Sequence, residues 1–204
     1  MLLAVAVTAA GVTTSCSRNA DTDERCVGTS HSDNLTTGSG NDTLIGLGGN
    51  DRLNGQGGSD YESGGSGADH MHGGRGSDEL HGGSGKDVLL GDEHGPGGND
   101  RLFGDTGDDR IFGLRGNDYI DGGPGNDVII GDEGNDTIIG GSGNDKINAR
   151  QGVDHIDGGA GNDNIVSGRD GTRDFVTCGP GVDTAKVDHL DKVAKDCEHV
   201  NNIG

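Results

Sequence analysis

The tripeptide Gly-Asn-Asp returns at nine-residue spacing, and this recurrence constrains the fold more than any other feature of the chain. It occupies residues 116–118, 125–127, 134–136 and 143–145. A catalytic loop needs its motif only once, and a disordered glycine-rich linker would scatter its aspartates. A short fixed period is instead typical of a solenoid, in which identical small units stack on one another. We therefore interpret the chain as a repeat protein.

The same register extends along most of the sequence. An Asp followed two residues later by an apolar residue occurs in 17 consecutive units within residues 28–186. The apolar position holds Leu, Ile, Met, Val or Ala in every unit except one, where Glu62 replaces it. The repeated aspartates are Asp33, Asp42, Asp51, Asp60, Asp69, Asp78, Asp87, Asp100, Asp109, Asp118, Asp127, Asp136, Asp145, Asp154, Asp163, Asp174 and Asp183.

The cleanest units define a pattern GGxGxDxUx, in which U is apolar. Examples are GGSGKDVLL at 82–90 and GGPGNDVII at 122–130. The first six residues have the composition of a tight turn, because glycine adopts positive φ and lets two backbones approach closely. The last three can form a short strand whose middle residue points inward. This density of glycine excludes a helix, so the sequence predicts an all-β fold.

This pattern resembles the nonapeptide repeat of the RTX (repeats-in-toxin, haemolysin-type) calcium-binding family, including exported actinobacterial calcium-binding proteins. The resemblance covers about three quarters of the chain. It implies a parallel β-roll in which each unit is half a coil and Ca²⁺ lies between stacked turns. The 17 repeated aspartates, together with backbone carbonyls, are then the predicted metal ligands. Calcium chemistry agrees, because Ca²⁺ takes six to eight oxygen ligands and one turn can supply only part of that set.

Every second aspartate should fall on the same edge of such a roll. The first row contains Asp33, Asp51, Asp69, Asp87, Asp109, Asp127, Asp145, Asp163 and Asp183, and the second row contains Asp42, Asp60, Asp78, Asp100, Asp118, Asp136, Asp154 and Asp174. Insertions within 91–103 and 167–177 precede aspartates of the second row, so we expect both to bulge from that edge while the first row stacks without interruption. Consecutive aspartates of the two rows leave 15 gaps, each of which could hold one ion, and 11 of these gaps span no insertion. The sequence therefore predicts about 11 to 15 Ca²⁺ sites.

Composition limits the alternatives. Only 28% of the residues are hydrophobic and the formal net charge is -20, so the core is thin and the compact chain repels itself without cations. The acidic charge argues against nucleic acid and anionic membrane surfaces as partners. A disordered acidic linker would not keep the Asp register, and a calcium-free solenoid such as an ice-binding protein would show a regular ladder of small residues. The residues beside the apolar position are mixed here, as Arg52, Tyr61 and Glu79 illustrate.

The two ends of the chain differ from the repeats. The apolar start of residues 1–15 is typical of an export signal, and residues 16–27 then form a polar leader. Alternatively, TTSC at 13–16 is a lipobox and Cys16, its last residue, carries a lipid anchor. Residues 187–204 contain no glycine before the last residue and should cap the final coil. This cap fits either a short helix or strands, because 191–193 and 198–200 imitate the D-x-U spacing.

Four cysteines lie near the two ends. In an exported protein they favour disulfides, and the simplest pairing is Cys16 with Cys26 and Cys178 with Cys197. His70 and His72 flank Met71, but histidines on a strand surface are more often solvated than bound to a transition metal.

The sequence contains no GxSxG and no HExxH motif, and GSGK at 83–86 belongs to a repeat. We therefore predict a secreted, monomeric, non-enzymatic protein that folds on binding calcium, with no catalytic substrate. The alternatives are a calcium-stabilised cell-surface adhesin or stalk module and an auxiliary module of an exported enzyme.

Overall fold

The structure is a computed structural model that describes residues 23–92 and 97–203, and within these ranges it contains strands and turns but no helix. The strands are β1 (Arg25–Val27), β2 (Asn34–Thr36), β3 (Thr43–Gly48), β4 (Arg52–Gly57), β5 (Tyr61–Ser66), β6 (His70–Arg75), β7 (Glu79–Gly85), β8 (Val88–Leu90), β9 (Arg101–Gly107), β10 (Arg110–Arg115), β11 (Tyr119–Asp121), β12 (Val128–Glu133), β13 (Thr137–Ser142), β14 (Lys146–Gln151), β15 (His155–Ala160), β16 (Asn164–Val166), β17 (Phe175–Thr177), β18 (Thr184–Val187), β19 (Lys192–Val193) and β20 (His199–Asn202). The predicted export signal, residues 1–15, and Cys16 lie outside the described residues.

These strands form two parallel sheets of ten strands each. The odd-numbered strands make one sheet and the even-numbered strands make the other, so the chain alternates between the sheets at every turn. Partners within a sheet are usually 18 residues apart, as shown by Leu44 beside Glu62 and Glu62 beside Leu80. Two nonapeptide units therefore make one coil. The predicted all-β parallel β-roll, a solenoid of about ten turns, is confirmed.

The core is a single line of side chains from each sheet. Every predicted U position is buried, because the middle residue of each short strand points between the two sheets. Aliphatic residues fill nearly all of these positions, and the one acidic residue among them, Glu62, is 0% exposed. So narrow a core leaves the turns at both edges to contribute much of the stability.

Glycine at the fourth position of a turn permits close stacking of coils. Gly143 has φ of +133°, and a Cβ added to it would lie 1.5 Å from the carbonyl oxygen of Gly125 in the preceding coil. Only a residue without a side chain fits there. The second position of the turn also adopts positive φ, yet it carries a side chain in six units: Leu47, Gln56, Asp105, Leu114, Asp132 and Arg150.

The insertions lengthen a coil without shifting its strands. His81 pairs with Phe103 across 22 residues, and His155 pairs with Phe175 across 20 residues. Residues 169–171 of the second insertion are exposed before Asp174 of the second row. In the first insertion, residues 93–96 lie outside the described range.

The solenoid continues past the repeat register at both ends. Strand β1 lies within the segment that the sequence assigns to a polar leader, and its buried Cys26 pairs with Leu44. In the tail, β19 and β20 add one strand to each sheet, so the D-x-U interpretation describes the cap and the helical one is wrong. The Cys178–Cys197 disulfide is confirmed, whereas the predicted partner of Cys26, Cys16, falls outside the described residues.

Candidate metal centre

The repeated aspartates form two continuous rows, one along each edge of the solenoid. In each row, the Oδ1 atom of an aspartate accepts a hydrogen bond from the backbone N–H of the aspartate one coil earlier. All of these bonds measure 2.7–2.9 Å. The bonds that span an insertion, such as Asp78 to Asp100 at 2.9 Å, resemble the others. The structure thus assembles the predicted residues into the predicted rows.

The second carboxylate oxygen has no comparable partner. Oδ2 is buried and makes no hydrogen bond in 15 of these aspartates. They are Asp42, Asp51, Asp60, Asp69, Asp78, Asp87, Asp100, Asp109, Asp118, Asp127, Asp136, Asp145, Asp154, Asp163 and Asp183. A buried carboxylate oxygen without a partner is strongly unfavourable, so a repeated set of them indicates that a group absent from the polypeptide completes the arrangement.

Asp33, at the start of the first row, is different. Its Oδ2 accepts hydrogen bonds from the backbone N–H of Thr29 at 2.6 Å and from the Thr29 hydroxyl at 2.9 Å. The oxygen that is free in most of the other aspartates is therefore satisfied by protein here.

Backbone carbonyls face the same spaces as the free carboxylate oxygens. A Cβ added to Gly46 would lie 2.3 Å from Oδ2 of Asp51 and 2.5 Å from the carbonyl oxygen of Gly64 in the next coil. Because Gly46 has no side chain, the carboxylate of one coil and the carbonyl of the next converge on a space that a Cβ would fill. An all-oxygen donor set of carboxylates and carbonyls fits Ca²⁺, which is a hard cation.

Side chains alone do not complete such a site. Within residues 23–92 and 97–203, no group of three or more His, Cys, Asp or Glu side chains converges as a metal cluster. His70 and His72 lie on β6 on either side of the buried Met71, without a third ligand of this kind in the described part of the chain. The donor set therefore depends on the backbone, which is uncommon for zinc but normal for calcium.

Burial perturbs the acidity of both rows. Desolvation is the main cause and raises the pKa, the N–H donor from the preceding coil opposes the rise, and neighbouring carboxylates of the row often add to it. The pKa rises to about 8 in Asp100, to about 7 in Asp60, Asp87, Asp127, Asp136, Asp154 and Asp174, and to about 6 in Asp51, Asp78, Asp109, Asp118 and Asp145. A bound cation would favour the ionised form and so remove this penalty.

A second ladder, which sequence reasoning missed, runs beside the aspartates. The Oδ1 atom of an Asn at the fifth turn position accepts from the backbone N–H one coil later, as in Asn117 to Asn135 at 2.7 Å. This direction is opposite to that of the aspartate ladder. The frequency of Gly-Asn-Asp is the signal in the sequence, because Asn and Asp bond to the coils on opposite sides.

The rows also extend beyond the predicted aspartates. Glu24 donates its backbone N–H to Asp42 at 2.7 Å, Asp191 accepts from Asp174 at 3.0 Å, and Glu198 accepts from Asp183 at 2.8 Å. The other oxygen of Asp191 accepts from the Ser167 hydroxyl and from a backbone N–H. The second row thus ends in a carboxylate that the protein itself satisfies.

Among the described residues, three buried carboxylates lie outside the row positions, and one of them, Asp188 in the tail, accepts a hydrogen bond from the Leu190 N–H at 2.7 Å. Glu62 occupies the core, and Asp92 follows strand β8, where it is 1% exposed. One oxygen of Asp92 accepts from the N–H of Gly98, and the other has no partner. The departure from the repeat singles out Glu62 in the sequence, but nothing in the register singles out Asp92.

Comparison with known proteins places this geometry in a family. Four copies of the RTX calcium-binding nonapeptide repeat match residues 27–62, 63–93, 94–129 and 130–165. A comparison with curated proteins gives no match. No helical segment of the described residues has the length and hydropathy of a membrane span. Because the repeat matches more than half of the chain and the fold is its parallel β-roll, the protein belongs to the RTX calcium-binding nonapeptide repeat family.

Proposed function

We propose that the protein is a secreted, non-enzymatic calcium-binding protein whose β-roll folds when Ca²⁺ binds between its stacked turns. The observation that carries this proposal is the set of 15 buried Oδ2 atoms without a hydrogen-bond partner. Aspartates of both rows would hold the ions, together with carbonyl oxygens of the glycine-rich turns. Asp33 is the weakest of the predicted ligands, because Thr29 already satisfies its Oδ2.

The aspartate ladder supports the upper part of the predicted range of 11 to 15 sites. The four gaps that span an insertion have aspartate bonds of 2.8–2.9 Å, as the uninterrupted gaps do. The insertions therefore give no geometric reason to leave these gaps out.

The coupling of binding to folding follows from the thin core and the paired rows. Without a cation, the folded state must bury unpartnered carboxylates in two rows, and one line of inward side chains from each sheet offsets little of that penalty. Bound calcium supplies positive charge and accepts oxygen ligands from two adjacent coils. Binding free energy then becomes folding free energy, and because each site joins two coils the transition should be cooperative.

Secretion and the absence of catalysis are further parts of the proposal. The two rows account for the repeated aspartates, and the segment 83–86 is a turn of the roll rather than a phosphate loop. Extracellular calcium is abundant whereas intracellular calcium is low, so a chain of this kind would fold after export. Residues 1–15 would be the export signal and residues 187–204 the cap.

Far-UV circular dichroism of the full chain, freed of metal with a chelator and titrated with Ca²⁺, tests the proposal. We expect a steep change from coil to β at submillimolar to millimolar Ca²⁺, and no such change with Mg²⁺, which demands a more rigid octahedral site. A protein that is already β without calcium and does not respond to it would overturn the proposal and favour a calcium-free solenoid.

A further inference from the structure

Glu62 is the one acidic residue in the line of inward-facing side chains. It is the second residue of β5 and pairs with Leu44 of β3 on one side and with Leu80 of β7 on the other. Its side chain is 0% exposed, and neither carboxyl oxygen has a hydrogen-bond partner. A leucine or isoleucine, as in neighbouring units, would fill this position without a desolvation penalty. Packing alone therefore does not explain this residue.

The position of the Glu62 carboxyl follows from the equivalent residues. In other units, the δ-carbon of the inward isoleucine lies against the first glycine of the preceding turn. The Ile120 δ-carbon is 3.2 Å from a Cβ added to Gly113. The glycine that corresponds to Gly113 in the Glu62 unit is Gly55, and the main-chain N–H groups of Gly55 and of His72 face the Glu62 carboxyl without reaching hydrogen-bond geometry. The carboxyl thus lies on the inner side of a second-row turn.

The same turn presents two further oxygens. A Cβ added to Gly55 would lie 2.1 Å from Oδ2 of Asp60 and 2.8 Å from the carbonyl oxygen of Gly73 in the next coil. That oxygen of Asp60 is buried and has no hydrogen-bond partner. The side-chain charges that act on Glu62 are those of Asp78 and Asp60, which are both negative. An aspartate, a carbonyl and a glutamate therefore approach one space around Gly55.

We propose that Glu62 is an additional calcium ligand, which gives the second-row site between the turns of Asp60 and Asp78 a carboxylate from the core side. This inference rests on the proposed calcium function and makes one site different from the rest. Calcium affinity rises with the number of charged ligands. The site therefore binds Ca²⁺ more tightly than sites whose only carboxylates come from the rows, and it is occupied first as calcium rises.

Calorimetric titration of the full chain with Ca²⁺, in competition with a chelator, tests this assignment. The variants are Glu62→Gln, which removes the charge at nearly constant shape, and Glu62→Leu, which restores the apolar residue of the repeat. Glu79→Gln is the matched control, because this glutamate lies on the adjacent strand with its side chain 44% exposed. We expect one site of the wild-type protein and of Glu79→Gln to bind about tenfold or more tightly than the others. Both Glu62 variants should lose this tight site.

The outcomes separate this inference from the function on which it rests. If the wild-type protein takes up no calcium, the proposed function itself fails. If it binds calcium and Glu62→Leu keeps the same tight site while becoming more stable in calcium, Glu62 is an uncompensated core residue and the inference is overturned. Should Glu62→Gln fail to fold, Glu62→Leu still decides, since it follows the repeat consensus.

Discussion

Replacing Asp136 with asparagine should change stability in opposite directions with and without calcium. Asp136 lies in the second row, and its Oδ1 accepts from the Asp118 N–H at 2.9 Å. Its Oδ2 is buried and has no hydrogen-bond partner. This oxygen and the Ala149 carbonyl oxygen face the same space beside Gly131, where an added Cβ would lie 2.8 Å from the carbonyl oxygen. Asparagine keeps the Oδ1 acceptor and places an NH₂ group where it can donate to that carbonyl.

The magnitude follows from the carboxylate that is removed. Burial raises the pKa of Asp136 from 3.8 to about 7, and the charge of Asp118 contributes to the rise. Because the pKa of this acid is raised on folding, its ionisation destabilises the folded state, and the penalty is complete above pH 7. A difference of this size corresponds to about 4 kcal/mol. With screening by water at the edge, we expect Asp136→Asn to stabilise the metal-free fold by about 2–4 kcal/mol at pH 8.

In saturating calcium the sign should reverse. The variant then lacks one charged ligand of a buried cation, and removing one partner of a buried ionic interaction costs about 3–5 kcal/mol. Urea unfolding in calcium measures this loss. Folding induced by sucrose in chelator at pH 8 measures the gain, because osmolytes favour burial. Both transitions can be followed by far-UV circular dichroism.

A matched control variant and one possible result test the prediction for Asp136→Asn. Asp157→Asn makes the same chemical change at an exposed position of β15, so it should shift either transition by less than about 0.5 kcal/mol. If Asp136→Asn destabilises the protein in chelator as well as in calcium, the charge of the row carboxylates does not destabilise the metal-free fold, and the prediction is refuted.

Three further predictions concern pH, coil stacking and the cap. Burial raises the pKa of Asp100 to about 8 and the pKa of other row members to about 6 or 7. The stability of the metal-free protein should therefore be greatest below about pH 4 and be lost as the pH rises through 6 to 8. Equal β-content in chelator at pH 5 and pH 8 would contradict this prediction. Gly143→Ala places a Cβ 1.5 Å from a carbonyl oxygen and should lower stability in thermal melts by more than about 3 kcal/mol. Gly171→Ala, with φ of +76° and open space around it, should cost only about 1–2 kcal/mol. Replacing Cys178 and Cys197 by serine removes a disulfide that spans 19 residues and should lower the free energy of unfolding by about 3 kcal/mol. Hydrogen exchange should accelerate first in the C-terminal coils. Uniform acceleration along the chain would refute a capping role for the disulfide.

The regular part of this fold could be predicted because the repeat determines it locally. Each unit places one apolar residue inward and one aspartate at an edge, so counting units yields the two sheets, their 18-residue pairing and both rows. The ends carry a weaker signal. At the first coil, Glu24 and the first two residues of β1, Arg25 and Cys26, stand in place of Asp-x-U. In the tail, Phe175 pairs with Lys192 across 17 residues and Thr184 pairs with His199 across 15 residues.

Other features of the site depend on distances that no pattern contains. The sequence shows that Glu62 departs from the repeat, but the approach of its carboxyl to the Gly55 turn depends on how far the side chain reaches across a narrow core. Asp92 lies in an insertion, where the register gives no information. That Thr29 satisfies Asp33 depends on a local hydrogen bond at the first turn. Sequence periodicity therefore predicts the rows better than it predicts their exceptions.

The preserved stacking across the insertions has a consequence for how such chains evolve and can be engineered. Strands β7 and β9 pair as neighbours although their partners are 22 residues apart, and Asp78 still donates to Asp100 at 2.9 Å. The exposed segment 169–171 shows the same tolerance at a second turn. Strand pairing is preserved across both insertions, so a lineage can gain or lose loop length at these turns without rebuilding the scaffold. A foreign peptide grafted at these two turns would be displayed at positions fixed by the order in which the coils stack.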